Sequence, residues 1–407
     1  MNRVINSQSD SLFTRTITLY IVCLVIGVLC RSYIINTSAI VWIINLIGLL
    51  ILFFPYYRHA QKYALRHSII YIVCCTITIA VNSDLMTGSI KSIGTNVNII
   101  VFPIFYIINE YLYKEKMITE RDIIRLFKFI SILGTISTLF ALLNGVTDYV
   151  QVFSGKLNPY FANIYGFYYG KNIYGSIVSL TIIADLYLYN RCQDRKRLLL
   201  IILKSAGVLF SFSRAAILQF VIMFYVYIWF NRKKYKKIWI SIVFISLVIL
   251  TIVLLNQSVL DFILKYIVRS KVGDAGRGVH MQRAISIVGE KALYMFFGVG
   301  YAGIDSLGID IDNTYLYIFF SGGITKVLMY VFITAIIIKR LIALRKMNLE
   351  LCNMCVAIFI SYLFYSFFES VAIFEIGMNN FMYTFYIAFV PSGYNGRYLN
   401  MNNKLVE

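Results

Sequence analysis

Long apolar runs alternate along this chain with short polar breaks. A helix needs about 20 mainly apolar residues to cross a bilayer. Runs near that length fall at 15–30, 39–56, 68–82, 93–113, 122–143, 172–190, 197–212, 215–231, 238–256, 313–338, 350–368 and 370–390. They predict an all-α, polytopic integral membrane protein with about twelve transmembrane helices, the third and seventh of them short. The longest interior break, from Asn256 to Asn313, is polar and rich in glycine. Four regions follow from this pattern: N-terminal membrane helices (1–143), central helices with a loop at 144–171 (144–256), a large loop (257–312), and C-terminal helices with a short tail (313–407). Basic residues precede the first apolar run and no small-residue cleavage site follows it, so that run reads as an uncleaved first span.

Composition sharpens this picture. Apolar residues make up 59% of the chain and charged ones only 14%, against roughly 45–50% apolar in a soluble domain. The formal charge of +19 would suggest nucleic acid in a soluble chain. Here the cations cluster between apolar runs, which is the pattern of cytoplasmic loops and excludes that reading. With the N-terminus inside, the clusters at Arg58–Arg66, Lys114–Lys128, Arg191–Arg197, Arg232–Lys237 and Lys339–Lys346 all fall on one side. Both termini are then cytoplasmic and the loop 257–312 is extracytoplasmic. Cations left on the outer side run against the bias, so Arg214, Lys265, Arg269, Lys271, Arg277, Arg283 and Lys291 are candidates for binding an anion. The seven cysteines form no disulfide or zinc framework, and His59, His67 and His280 have no metal-ligand spacing. No metal and no cofactor are expected.

Three features converge on the outer side. Ser211-Phe-Ser213-Arg214 interrupts two apolar runs. A tight turn there would hold Arg214 at the membrane boundary, where a guanidinium grips phosphate bidentately; the plainer reading is a snorkelling arginine. Arg269, Lys271, Arg277 and Arg283 stand among Gly273, Gly276 and Gly278. They suit a diphosphate, or simply a solvated loop near anionic headgroups. Gly298-Val-Gly300-Tyr301 leads to Asp310, Asp312 and Asn313, with Gly322-Gly323 inside the next span. Asn313 can cap that helix, and the glycine pair can serve close packing. The aromatic run Tyr160–Tyr169 reads as an interfacial belt or as a platform for stacking sugars.

Lys171-Asn172-x-Tyr174-Gly175, Ser211-x-Ser213-Arg214, Arg277, Gly298-x-Gly300-Tyr301 and Asp312-Asn313-x-Tyr315-Leu316, in that order, resemble the O-antigen ligase and polymerase family of the Wzy/WaaL type. The resemblance spans roughly residues 165–325 and implies a GT-C-like membrane glycosyltransferase. The family's ligases carry a histidine with a glycine after it; Asp312 stands at the first of those positions here and Gly323 at the second. That departure points to a repeat-unit polymerase of capsule, exopolysaccharide or O-antigen.

The resemblance implies a substrate, an undecaprenyl-diphosphate-linked oligosaccharide, and a location, the outer face of a bacterial plasma membrane. A chain-length regulator and a flippase are the partners it suggests, and no nucleotide sugar is needed. The leaving group is a diphosphate, so catalysis requires cations more than a strong base. Arg214 and Arg277 are expected at the diphosphate with Arg283, Arg269 and Lys271. Asp312 would orient or deprotonate the acceptor hydroxyl, with Asn313, Lys171, Asn172 and Glu369 binding substrate. Lys204, Lys326, Asp185 and Glu369 lie within or at the ends of spans, where charge is costly; each suits either the site or a buried ion pair. The alternatives are a ligase of the same family and a flippase or transporter of lipid-linked sugars. No duplication between the halves supports a transporter.

Overall fold

The structure, a computed structural model, describes residues 2–31, 38–81, 97–158, 162, 164–168, 170–192, 194, 196–236, 240, 256, 277–300, 303–304, 307–308 and 311–396. Among these residues the fold is helical, with one isolated bridge between Ile118 and Tyr394. The helices are α1 (Asn2–Leu29), α2 (Ser38–Phe53), α3 (Lys62–Val81), α4 (Asn98–Glu115), α5 (Glu120–Asn144), α6 (Val146–Phe153), α7 (Lys171–Cys192), α8 (Lys196–Leu209) and α9 (Arg214–Phe230). After these come α10 (Arg277–Glu290), α11 (Ala292–Phe297), α12 (Thr314–Met347), α13 (Leu349–Tyr365), α14 (Met378–Thr384) and α15 (Val390–Gly393).

Among the described residues, five segments are long and apolar enough to cross a membrane: Leu12–Leu29, Lys62–Ala80, Glu120–Asn144, Lys171–Cys192 and Thr314–Met347. Val41–Phe53, Arg214–Phe230 and Leu349–Tyr365 are apolar but shorter. The expected span at 238–256 lies almost wholly outside the described residues. The loop 257–312 carries helices α10 and α11 in its described part.

Capping side chains set the helix boundaries. Thr119 and Asp122 form a reciprocal capping box at the start of α5, satisfying two amides that the helix itself leaves without acceptors. Ser213, Asn313 and Asn348 each accept from one such amide at the starts of α9, α12 and α13. Buried charges then tie the helices together. Asp185 accepts from Lys204 at 2.6 Å, from Arg197 at 3.0 Å and from the Ser131 hydroxyl at 2.6 Å, which links α5, α7 and α8. Arg340 pairs with Glu110 and donates to Ser392 Oγ at 2.8 Å, which links α12, α4 and α15. Lone buried ions are prohibitively costly, and these are all paired.

Residues 370–390 depart from the expected helix. The chain runs irregularly through Ser370–Gly377, and helix begins only at Met378. Residues Val371–Ile376 are nonetheless buried, because apolarity reports burial rather than helicity. Side chains from neighbouring elements satisfy this backbone. The Val371 amide donates to Thr314 Oγ1 (2.8 Å), that of Phe374 to Thr384 Oγ1 (2.9 Å) and that of Ile376 to Asn98 Oδ1 (2.9 Å). The Tyr330 hydroxyl donates to the Ile373 carbonyl at 2.9 Å. Non-helical backbone at membrane depth is tolerated only when protein groups replace water in this way.

Candidate functional site

One end of the helical bundle gathers most of the described residues that the sequence singles out. Between α8 and α9 the chain turns in four residues, Phe210 to Ser213. Phe212 adopts a left-handed conformation (φ 53°), and Ser211 Oγ donates to the Val208 carbonyl while accepting from the Ser213 amide. Ser213 Oγ accepts from the Ala216 amide as the cap of α9, so Arg214 is the first residue of that helix and stands exposed. Gly175 brings α7 close: a Cβ there would lie 2.5 Å from Cβ of Ala216.

That approach allows a chain of side-chain contacts. Ser213 Oγ donates to Asn172 Oδ1 at 2.6 Å, and Asn172 Nδ2 donates to Glu369 Oε1. The turn bearing Glu369 is fixed from the start of α12. The Thr314 hydroxyl donates to the Glu369 carbonyl at 2.7 Å, the Thr314 amide donates to the Ser366 carbonyl at 2.8 Å, and Asn313 Nδ2 donates to the Phe367 carbonyl at 3.1 Å. Asn313 Oδ1 also accepts from the Leu316 amide. Lys171 opens α7 beside Asn172, and Asp312, half-buried, immediately precedes the Asn313 cap. The structure thus joins the serine–arginine turn, the Lys171-Asn172 pair, the Asn313 cap and Glu369 into one connected cluster.

The glycine motifs form a second junction. A Cβ on Gly298 would lie 2.5 Å from the Gly322 nitrogen, and one on Gly323 would lie 2.3 Å from the Phe296 carbonyl carbon. Gly323 breaks the helical path of α12 (φ 62°), which leaves the Phe320 carbonyl to accept from the Val299 amide at 2.7 Å. On the other flank the Thr78 hydroxyl donates to the Phe297 carbonyl at 2.7 Å. The loop after α11 therefore docks backbone to backbone into α12. Arg283 lies exposed on α10, whose inward residues Ala284 and Val288 pack with Tyr294, Val299 and Phe320. Arg283 is thus anchored through this junction, whereas Arg214 is anchored through α7. Arg277 is the first residue of α10, where backbone alone is described, and Arg269 and Lys271 lie outside the described residues.

Two open alternatives close and one sequence expectation changes. Lys326 is buried and pairs with Glu375 at 2.9 Å, its ammonium also donating to Ser321 Oγ at 2.7 Å; it is an ion-pair partner within the frame. Lys204 has the same role beside Asp185. Phe167 and Tyr168 are buried, Tyr168 against Tyr174, so this part of the aromatic run is core rather than belt or platform. Sequence reasoning missed Glu375, although a carboxylate inside the apolar run 370–390 was a signal for it. It also missed Thr314, for which a hydroxyl beside a helix cap is no distinctive sign.

The fold is thus an all-helical one with several helices apolar enough for a membrane. Comparison with known proteins adds no family to that class: no protein-family profile, curated protein or solved structure matches the chain.

Proposed function

We propose that this chain is a polymerase of undecaprenyl-diphosphate-linked oligosaccharide repeat units, working on the outer face of a bacterial plasma membrane. The observation that carries the reading is the Ser213–Asn172–Glu369 contact chain. It puts an exposed arginine at a helix start, an amide and a carboxylate within one cluster, the groups needed by a charged leaving group and a hydroxyl acceptor. The bond between the anomeric carbon of the growing glycan and its diphosphate breaks. A new bond forms to a hydroxyl of the incoming repeat unit, which loses its proton, and the diphosphate departs with its lipid. In this reading Arg214 and Arg277 hold the diphosphate, supported by Arg283, Arg269 and Lys271. Asp312 takes the acceptor proton, and Asn172 and Glu369 hold acceptor hydroxyls.

The orientation follows the charge distribution. The bundle end opposite Asn172 carries Arg191 with Glu120 (3.1 Å) and Glu350 (3.8 Å), and Lys234 with Glu350 (3.4 Å). Concentrated cations at that end suit the cytoplasmic side. Twelve spans and cytoplasmic termini belong to the same reading.

The test is reconstitution of the purified chain with an undecaprenyl-diphosphate-linked repeat unit, without nucleotide sugar or added metal. A ladder of longer lipid-linked glycans is expected, and Arg214→Ala should abolish it while membrane insertion persists. Movement of the substrate across the vesicle membrane without a ladder would instead make the chain a transporter.

A further inference from the structure

A cavity of about 320 Å³ lies beside Glu369, between the end of α1, the first half of α2, the start of α7 and the Glu369–Asn380 segment. Its volume falls at the small end of the range for ligand pockets, roughly 300–1,000 Å³. Its lining is unusual for a bundle of apolar helices: Arg31, Trp42, Asn45, Glu369, Asn379 and Asn380. Asn45 interrupts the apolar run of α2 and is 6% exposed, as is Asn379. The Asn45 Oδ1 acceptor has no hydrogen bond, and the Asn379 Nδ2 donor stands by the Tyr365 hydroxyl. Both asparagines line the cavity, and the Asn45 oxygen is not used within the fold.

The rest of the wall is held in place. Asn379 Oδ1 accepts from Ser176 Oγ at 2.9 Å, and Asn380 Nδ2 donates to the Ile376 carbonyl at 3.0 Å. Gly377, with φ 127°, makes the bend that brings both asparagines to the cavity. The polar lining therefore offers amide donors and acceptors, a carboxylate and a guanidinium beside one indole ring. That is the chemistry that recognises a pyranose, whose hydroxyls both donate and accept and whose C–H face lies on an aromatic ring.

We infer that this cavity is a glycan subsite, holding one sugar of the repeat unit through Asn45, Asn379 and Glu369 against Trp42. The inference rests on the polymerase reading for its biological setting. It extends the substrate site from the α7–α9 cluster to the N-terminal helices α1 and α2, with Glu369 shared between the two.

Trp42 reports on the cavity directly. The other two tryptophans, Trp229 and Trp239, are replaced by Phe, and the purified chain in nanodiscs is titrated with methyl glycosides of the common hexoses, N-acetylhexosamines and hexuronic acids. Saturable quenching of Trp42 by at least one glycoside is expected. Asn45→Ala and Asn379→Ala should each raise the half-saturating concentration about tenfold, the equivalent of one lost hydrogen bond. Asn379 also bonds Ser176, so its variant can lose fold; Asn45→Ala removes an oxygen that bonds nothing and keeps the test open. No saturable quenching, quenching unchanged in Asn45→Ala, or quenching by glycerol phosphate alone would overturn the subsite. A glycan ladder without glycoside binding would sink the subsite and leave the polymerase; glycoside binding without a ladder would do the reverse.

Discussion

Gly298 and Gly322 meet with no room for a side chain between them, at 2.5 Å from a would-be Cβ of the first to the nitrogen of the second. A glycine of the loop 257–312 and one of α12 are thus one contact in space, and this contact fixes where that loop rejoins the frame.

Gly323→Ala should therefore be far worse than a typical glycine substitution. Gly323 and Gly308 have nearly equal positive φ (62° and 60°), but a Cβ at Gly308 meets nothing within 4 Å among the described residues. Both changes carry backbone strain of about 1–3 kcal/mol, and Gly323→Ala adds a backbone clash of about 1–3 kcal/mol. Thermal denaturation in detergent should rank Gly323→Ala well below Gly308→Ala. Equal melting temperatures would contradict the docked geometry.

Asn172→Asp should damage polymer formation more than Asn172→Ala. The asparagine bridges Ser213 and Glu369 by accepting with its oxygen and donating with its nitrogen. An aspartate can only accept when ionised, so it would place a like charge against Glu369, whereas alanine merely breaks the bridge. Chain-length ladders from the two variants, normalised to membrane-inserted protein, check the order.

Asp185 and Lys204, fully buried with Arg197 beside them, should show strong coupling. Removing the carboxylate as Asp185→Leu strands the Lys204 charge, at a cost of about 3–5 kcal/mol. The double variant Asp185→Leu/Lys204→Met should recover part of that loss, and a double-mutant cycle on thermal stability measures it. Strict additivity would mean that the pair contributes nothing.

Lys116, just beyond α4, should show a proton-linked step in stability. Its ammonium donates to the Ser392 carbonyl at 2.8 Å and lies 4.4 Å from the Tyr113 ring centre. Burial, and then the charge of Arg340, push its pKa down to about 8. Between that value and the ordinary lysine range the unfolded chain keeps a proton that the folded chain has released, so stability rises with pH in this window. Below it the fold bears the cost of the charged lysine. From pH 7 to 10 the melting temperature of the wild-type chain should rise relative to Lys116→Met; parallel curves would refute the assignment.

Much of this arrangement could be read from residues in order. The apolar runs located α2, α5, α7, α8, α9 and α13 to within a few residues, since hydrocarbon length is a local property. The Asn313 cap and the Ser211–Arg214 turn were equally local. What escaped depends on partners distant in sequence. Ser370–Gly377 is as apolar as a span, and only Thr314, Asn98 and Tyr330 show why it is not helical. Gly322 and Gly323 read as generic packing residues, and Gly298 as part of a separate motif, until their shared contact is seen. Glu369 looked like one outer charge among several, yet it joins Asn172 on one side and lines a cavity with Asn45 on the other.

Ser370–Gly377 also carries a consequence for biogenesis. A helix can enter hydrocarbon alone because its amides are already satisfied, but this stretch borrows its acceptors from Asn98, Thr314 and Thr384. It can settle only after α4 and α12 stand in place and α14 has formed below it. The C-terminal part of the chain is thus a keystone set last, closing a vault whose other stones are already standing.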